Sequence, residues 1–125
     1  MTVTFFFLIK IDNGYAMPYN IVMIFIETSL FTKLIVELLN EDEYTNLQKF
    51  LLRKPDAGKI ITGSGGVRKL RWYKGSKGKR GGVRIIYYWK KSDSEIWMLT
   101  VYEKSKQENI PAKILKKISE EIKNV

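Results

Sequence analysis

Neither cysteine nor histidine occurs anywhere in the 125 residues. Without thiols there are no disulfides, no thiolate metal sites and no cysteine nucleophiles. Without imidazole the usual general acid or base and the commonest metal ligand are missing as well. Any chemistry falls to Lys, Arg, Tyr, Asp, Glu, Ser or Thr. Long apolar runs are also lacking. Phe5–Ile9 is apolar but is broken by Lys10 and Asp12, and a bilayer span takes roughly 20 residues. No basic leader precedes this run and no small-residue cleavage site follows it, so it does not read as a signal peptide. A further absence is local: between Asp56 and Asp93 lie 36 consecutive residues without an acid, and 11 of them are Lys or Arg.

That window sets the charge of the whole chain. There are 22 basic and 13 acidic residues, for a net charge of +9. Outside the window 11 basic and 13 acidic residues remain, so the segment carries +11 and everything else −2. A basic excess packed into one Gly-rich, aromatic-rich segment points to a polyanion, most often nucleic acid. The apolar fraction of 45% and charged fraction of 28% belong to a globular chain, and this length makes one domain with a modest core.

Residues 1–22 are expected to lie outside the core fold, with Met17 and Met23 both possible starts; the alternative is an extra edge strand. From Met23 the pattern is regular. Ile24–Ile26 is a short strand candidate. Leu30, Phe31, Leu34, Ile35, Leu38 and Leu39 recur at helical spacing and predict a helix over 29–39. Asn40 followed by Glu43 is a capping-box signature and opens a second helix with the stripe Tyr44, Leu47, Phe50 and Leu51. Pro55 and Gly58 end it. Val67–Tyr73, Val83–Trp89 and Ile96–Tyr102 then read as three strands joined by short connections, an antiparallel meander. Pro111 suits the first turn of a last helix with Ile114, Leu115, Ile118 and Ile122 on one face. The expectation is an α+β domain over 23–125, in the order β-α-α-β-β-β-α, with an antiparallel sheet packed on a helical hairpin and a C-terminal helix.

Strand alternation divides the basic hairpin. Lys69 and Arg71 share one face, opposite Leu70 and Trp72. Arg84, Ile86 and Tyr88 share a face, opposite Val83, Ile85, Tyr87 and Trp89. If the apolar sets pack on the helices, Lys69, Arg71 and Arg84 project together, and Lys77, Lys79 and Arg80 on the connecting loop close over them. Arg68 adds a further cation, and Trp or Tyr nearby offers base stacking. The bland alternative is a solvated basic face that anchors an acidic protein. Gly63, Gly65 and Gly66 do not have phosphate-loop spacing and read as turn residues. The window holds no carboxylates for hard cations, while Glu41, Asp42 and Glu43 sit where they favour a helix dipole. Metal-free chemistry is therefore expected, with no cofactor. RNA carries its own nucleophile, the 2′-OH. A protein then has only to align it, hold the developing charge with Arg or Lys, and move protons.

Several separated motifs, in order, resemble one family. Gly63-Ser-Gly-Gly-Val-Arg-Lys-Leu-Arg-Trp72, Gly78-Lys-Arg-Gly-Gly-Val-Arg-Ile-Ile-Tyr-Tyr-Trp89 and Leu99-Thr-Val-Tyr-Glu-Lys104 are similar to the RelE/HigB-type toxins of bacterial type II toxin–antitoxin systems. Phe25-Ile-Glu-Thr-Ser-Leu-Phe31 and Asp42-Glu-Tyr-Thr-Asn-Leu-Gln48 also fit. The resemblance runs over Met23–Ile122. It implies a RelE-like, microbial-RNase-type fold and a cytoplasmic mRNA interferase that cuts messages on the ribosome. It also implies a helix-turn-helix antitoxin as partner, and no membrane. By position, Lys69 and Arg71 match the residues that bind and polarise the phosphate. Arg84 matches the arginine that stabilises transition-state charge, and Lys104 and Lys106 fall in a basic patch after the last strand. One departure stands out: RelE proper has an arginine in that patch and a catalytic tyrosine in the C-terminal helix, and this chain has no tyrosine after Tyr102. Proton transfer is then left to Tyr102, Tyr88 or a lysine. Two readings without catalysis stay open: an RNA- or ribosome-binding module, and a domain that only receives an antitoxin.

Overall fold

The computed structural model describes residues 2–11, 19–73, 82–106 and 110–125. Strand β1 (Thr2–Ile11) pairs antiparallel with β2 (Tyr19–Thr28) along its whole length, from Thr2 opposite Thr28 to Ile11 opposite Tyr19. Residues 2–11 are thus an edge strand, the alternative raised for that segment, and β2 begins well before Ile24.

Helix α1 (Ser29–Leu38) follows β2 without a loop, because Thr28 caps it: the Thr28 hydroxyl accepts from the Phe31 N–H at 3.0 Å. Helix α2 (Glu41–Arg53) opens on the expected capping box. Asn40 Oδ1 accepts from the Glu43 N–H, and Glu43 Oε1 accepts from the Asn40 N–H, both at 2.8 Å. Glu41, Asp42 and Glu43 fill its first turn, where negative charge complements the exposed N–H groups. Lys54 is the C-cap, and Pro55 cannot continue the helix.

The chain then makes β3 (Lys59–Ile60), β4 (Arg68–Trp72), β5 (Val83–Lys90) and β6 (Glu95–Glu103), with a short 3-10 turn at Lys91–Asp93, and ends in α3 (Ala112–Lys123). The class is α+β; the described residues form three helices and a sheet of order β1-β2-β6-β5-β4-β3. One expectation needs correction: the sheet is mixed, not antiparallel. β2 runs parallel to β6, from Ile24 opposite Glu95 to Glu27 opposite Met98. The two strands are separated in sequence by the helical hairpin and three other strands, and so long a connection permits parallel pairing. The two-residue β3 had no periodicity to reveal it.

Both faces of the sheet are covered, but unequally. On one face Phe25, Ile85, Tyr87, Ile96, Met98 and Val101 pack against Phe31, Ile35, Leu47 and Leu51 of the hairpin. Buried Glu27 ties this face together: its carboxylate accepts from the Thr32 hydroxyl at 2.6 Å and from the Tyr44 hydroxyl. Burial and that carboxylate hold the Tyr44 phenol far above its ordinary pKa. On the other face Val67, Ile86, Tyr88 and Leu99 pack under Leu115 and Ile122 of α3. The loop before β4 is fitted to the same helix. Gly65 has φ +76°, and a Cβ there would stand 2.4 Å from the Ser119 hydroxyl, which itself donates to the Ser64 carbonyl at 3.0 Å. Glycine is required for that approach.

Candidate functional site

β4 presents its residues alternately. Lys69 and Arg71 are exposed, while Arg68, Leu70 and Trp72 are half-buried, with Leu70 and Trp72 against the hairpin core. The pairing register then fixes which side chains meet across strands, because directly opposed residues share a face. Lys69 stands opposite Ile86, and Ile86 opposite Thr100. One step along, Arg71 stands opposite Arg84, and Arg84 opposite Tyr102. Two guanidiniums and a phenol therefore form a row across three strands, on the α3 side of the sheet.

α3 covers only part of that side. Along β5 the burial falls from Tyr88 and Ile86, both inside, to half-exposed Arg84. Tyr102 is also half-buried, packed on the rim of the cluster under α3. The expectation of an open face thus holds for one end only. The apolar stripe of α3 closes the other end, because Ile86 and Tyr88 need cover. Lys104 and Lys106 are exposed just past β6, at the end where the row lies. The Lys104 N–H donates to the Gly82 carbonyl at 3.0 Å, which keeps Lys104 beside the start of β5.

Among the described residues, no acid forms an ion pair with Lys69, Arg71 or Arg84. Like charges set directly opposite on adjacent strands repel. The same described residues bring no three acidic side chains together as a metal-sized cluster.

Other residues named from the sequence have different surroundings. Arg68 points to the hairpin side, and its Nη1 donates to the carbonyls of Asp56 (3.0 Å) and Gly58 (2.8 Å). With Tyr87, whose hydroxyl donates to the Pro55 carbonyl at 2.8 Å and accepts from the Gly58 N–H at 2.9 Å, it clamps the loop that leaves α2. Tyr88 is 7% exposed, lies under α3, and carries Lys123 Nζ 5.9 Å from its ring centre. Burial raises its pKa, with Lys90 opposing. It offers no ring face to a base. Lys77, Lys79 and Arg80 lie outside the described residues.

The feature that sequence reasoning missed is in β6. Ile86 pairs with Thr100 but Tyr87 pairs with Met98, so Leu99 is an extra residue, a β-bulge. Before it Trp97 and Leu99 face α3 while Ile96 and Met98 face the hairpin; after it Val101 faces the hairpin and Tyr102 faces α3. Strict alternation from Ile96 would have sent Tyr102 to the hairpin side, away from Arg84. A scan against protein-family models finds none that matches this chain.

Proposed function

We propose that this protein is a metal-independent endoribonuclease that cuts translated mRNA on the ribosome, the toxin of a RelE/HigB-type toxin–antitoxin pair. The observation that carries the reading is the row Arg71, Arg84, Tyr102. Two opposed guanidiniums ask for an anion, and their planar forks match phosphate oxygens. Lys69 beside the row and Lys104 and Lys106 beyond it extend the positive surface along which an RNA backbone would lie.

The reaction follows from what RNA supplies. The 2′-oxygen attacks the neighbouring phosphorus, the bond to the 5′-oxygen breaks, and the products are a 2′,3′-cyclic phosphate and a 5′-hydroxyl. Negative charge grows on the phosphorane oxygens, where Arg71 and Arg84 stabilise it. The 2′-OH proton leaves to water, and the departing 5′-oxygen takes one up. Tyr102 is the hydroxyl in the row and the residue assigned to give it; the phenol is reprotonated from solvent. The helical hairpin, the β4–β6 meander and α3 are consistent with the RelE-like fold that the resemblance implies. The antitoxin partner and a cytoplasmic site of action belong to the same proposal.

A second reading is an RNA- or ribosome-binding module without catalysis, or one that only binds an antitoxin. It is favoured by the lack of any tyrosine in α3 and of any histidine. Induced expression followed by mapping of mRNA 5′ ends separates the two. The nuclease produces new ends inside translated regions and Arg84→Ala does not. Salt-sensitive ribosome binding without new ends would replace the proposal with the binding module, and no RNA affinity at all would leave only the antitoxin-binding role.

A further inference from the structure

Thr28 lies at the junction of β2 and α1, and its side chain makes two hydrogen bonds. The hydroxyl accepts from the Phe31 N–H at 3.0 Å and donates to the Leu99 carbonyl at 2.8 Å. Leu99 is the bulged residue of β6. A bulge leaves a strand's local pairing incomplete and turns the side chains that follow to the other face. Here the group that satisfies the bulged carbonyl comes from a residue 71 positions away in sequence. The consequence lies three residues downstream, where Tyr102 faces α3 in register with Arg84.

We infer that Thr28 is a positioning residue for the site: its hydroxyl holds the bulge at Leu99, and the bulge sets the phase of β6 that puts Tyr102 in the row with Arg84 and Arg71. The inference rests on Tyr102 as the proton donor of the proposed nuclease for its effect on rate. Its geometric part stands without that assignment. Thr28 also caps α1, so a variant must separate the two bonds. Aspartate caps helices well but, ionised, has no proton to donate to a carbonyl. Thr28→Asp therefore keeps the cap and loses the latch, Thr28→Val loses both, and Thr28→Ser keeps both.

The experiment has two arms on the full chain. Nuclear Overhauser contacts between the Tyr102 ring and the Arg84 side chain report the geometry. They are expected in the parent and in Thr28→Ser, and weakened or lost in Thr28→Asp and Thr28→Val. Single-turnover cleavage of mRNA on programmed ribosomes reports the chemistry. Tyr102→Phe is expected to slow it about 100-fold, the usual size of a general-acid contribution. Thr28→Asp should slow it at least about tenfold at unchanged ribosome affinity, since small misplacements of a catalytic group are costly. Thr28→Ser should cleave like the parent, and Thr28→Asp combined with Tyr102→Phe should be no slower than Tyr102→Phe alone. Unchanged Tyr102–Arg84 contacts in Thr28→Asp would overturn the positioning role, whatever the enzyme does. Altered contacts with a fully active Tyr102→Phe would instead retain the latch and remove Tyr102 from the mechanism.

Discussion

Ile85 and Arg84 are neighbours on β5 and live in different proteins, physically speaking. Ile85 faces the hairpin side, where β2, β4, β5 and β6 contribute apolar groups and, among the described residues, the buried acid Glu27 is matched by two hydroxyls. Arg84 faces the α3 side, where an apolar cluster gives way to Lys69, Arg71 and Arg84, which have no acidic partner among the described residues. The sheet is the same; the cover differs. α1 and α2 together roof one face, whereas α3 reaches only as far as Ile86. What remains uncovered is where Lys69, Arg71 and Arg84 collect.

That contrast can be broken most forcefully at the adjacent pair. Ile85→Ala leaves a void in a fully buried position and should cost roughly 2–5 kcal/mol of stability, read by denaturant unfolding. Arg84→Ala should change stability by no more than about 0.5 kcal/mol, yet reduce RNA cleavage by about 100-fold or more. If both variants unfolded alike, the two faces would not differ as described. Gly65→Ala tests the α3 contact, since a Cβ would collide with Ser119 in a left-handed backbone; a loss of about 1–3 kcal/mol is expected.

Alkaline pH acts mainly on the hairpin side. Burial raises the phenol pKa of Tyr44 and Tyr87 there, and of Tyr88 under α3. As pH climbs past about 10, the unfolded chain gives up these protons first. The folded state then holds more protons, so stability falls as pH rises above that value. Tyr44→Phe should flatten the alkaline limb of a pH–stability profile. A small effect is expected at Thr100, whose hydroxyl is buried without a partner among the described residues. Thr100→Val should stabilise by about 1 kcal/mol in thermal or denaturant unfolding.

Much of this was legible from local rules. The Asn40–Glu43 box, most of the stripes of α1 and α3 and the alternation that exposes Lys69 and Arg71 are all properties of neighbouring residues, and the structure carries them; Leu30 and Ile114, expected in those stripes, are instead exposed, because neither lies over a covered part of the sheet. What local rules missed depends on distant contacts. The parallel pairing of β2 with β6 joins segments about 70 residues apart. Tyr88 reads as a surface aromatic until α3 is placed over it. Arg68 reads as one more cation until Asp56 and Gly58 offer it carbonyls. The bulge at Leu99 has no signature in β6, because the hydroxyl bonded to its carbonyl belongs to Thr28. Of the site, the cations on β4 and β5 could be placed on one face from sequence; the phase that adds Tyr102 could not.

The uncovered end of the α3 face is proposed as a phosphate-cleaving site. The most direct measurement adds purified protein to ribosomes programmed with end-labelled mRNA and identifies the new termini. A 2′,3′-cyclic phosphate and a 5′-hydroxyl are expected at each cut, both abolished by Arg84→Ala or Arg71→Ala in proteins that remain folded. Intact mRNA with the parent protein, or equal cutting by the parent and both arginine variants, would contradict it.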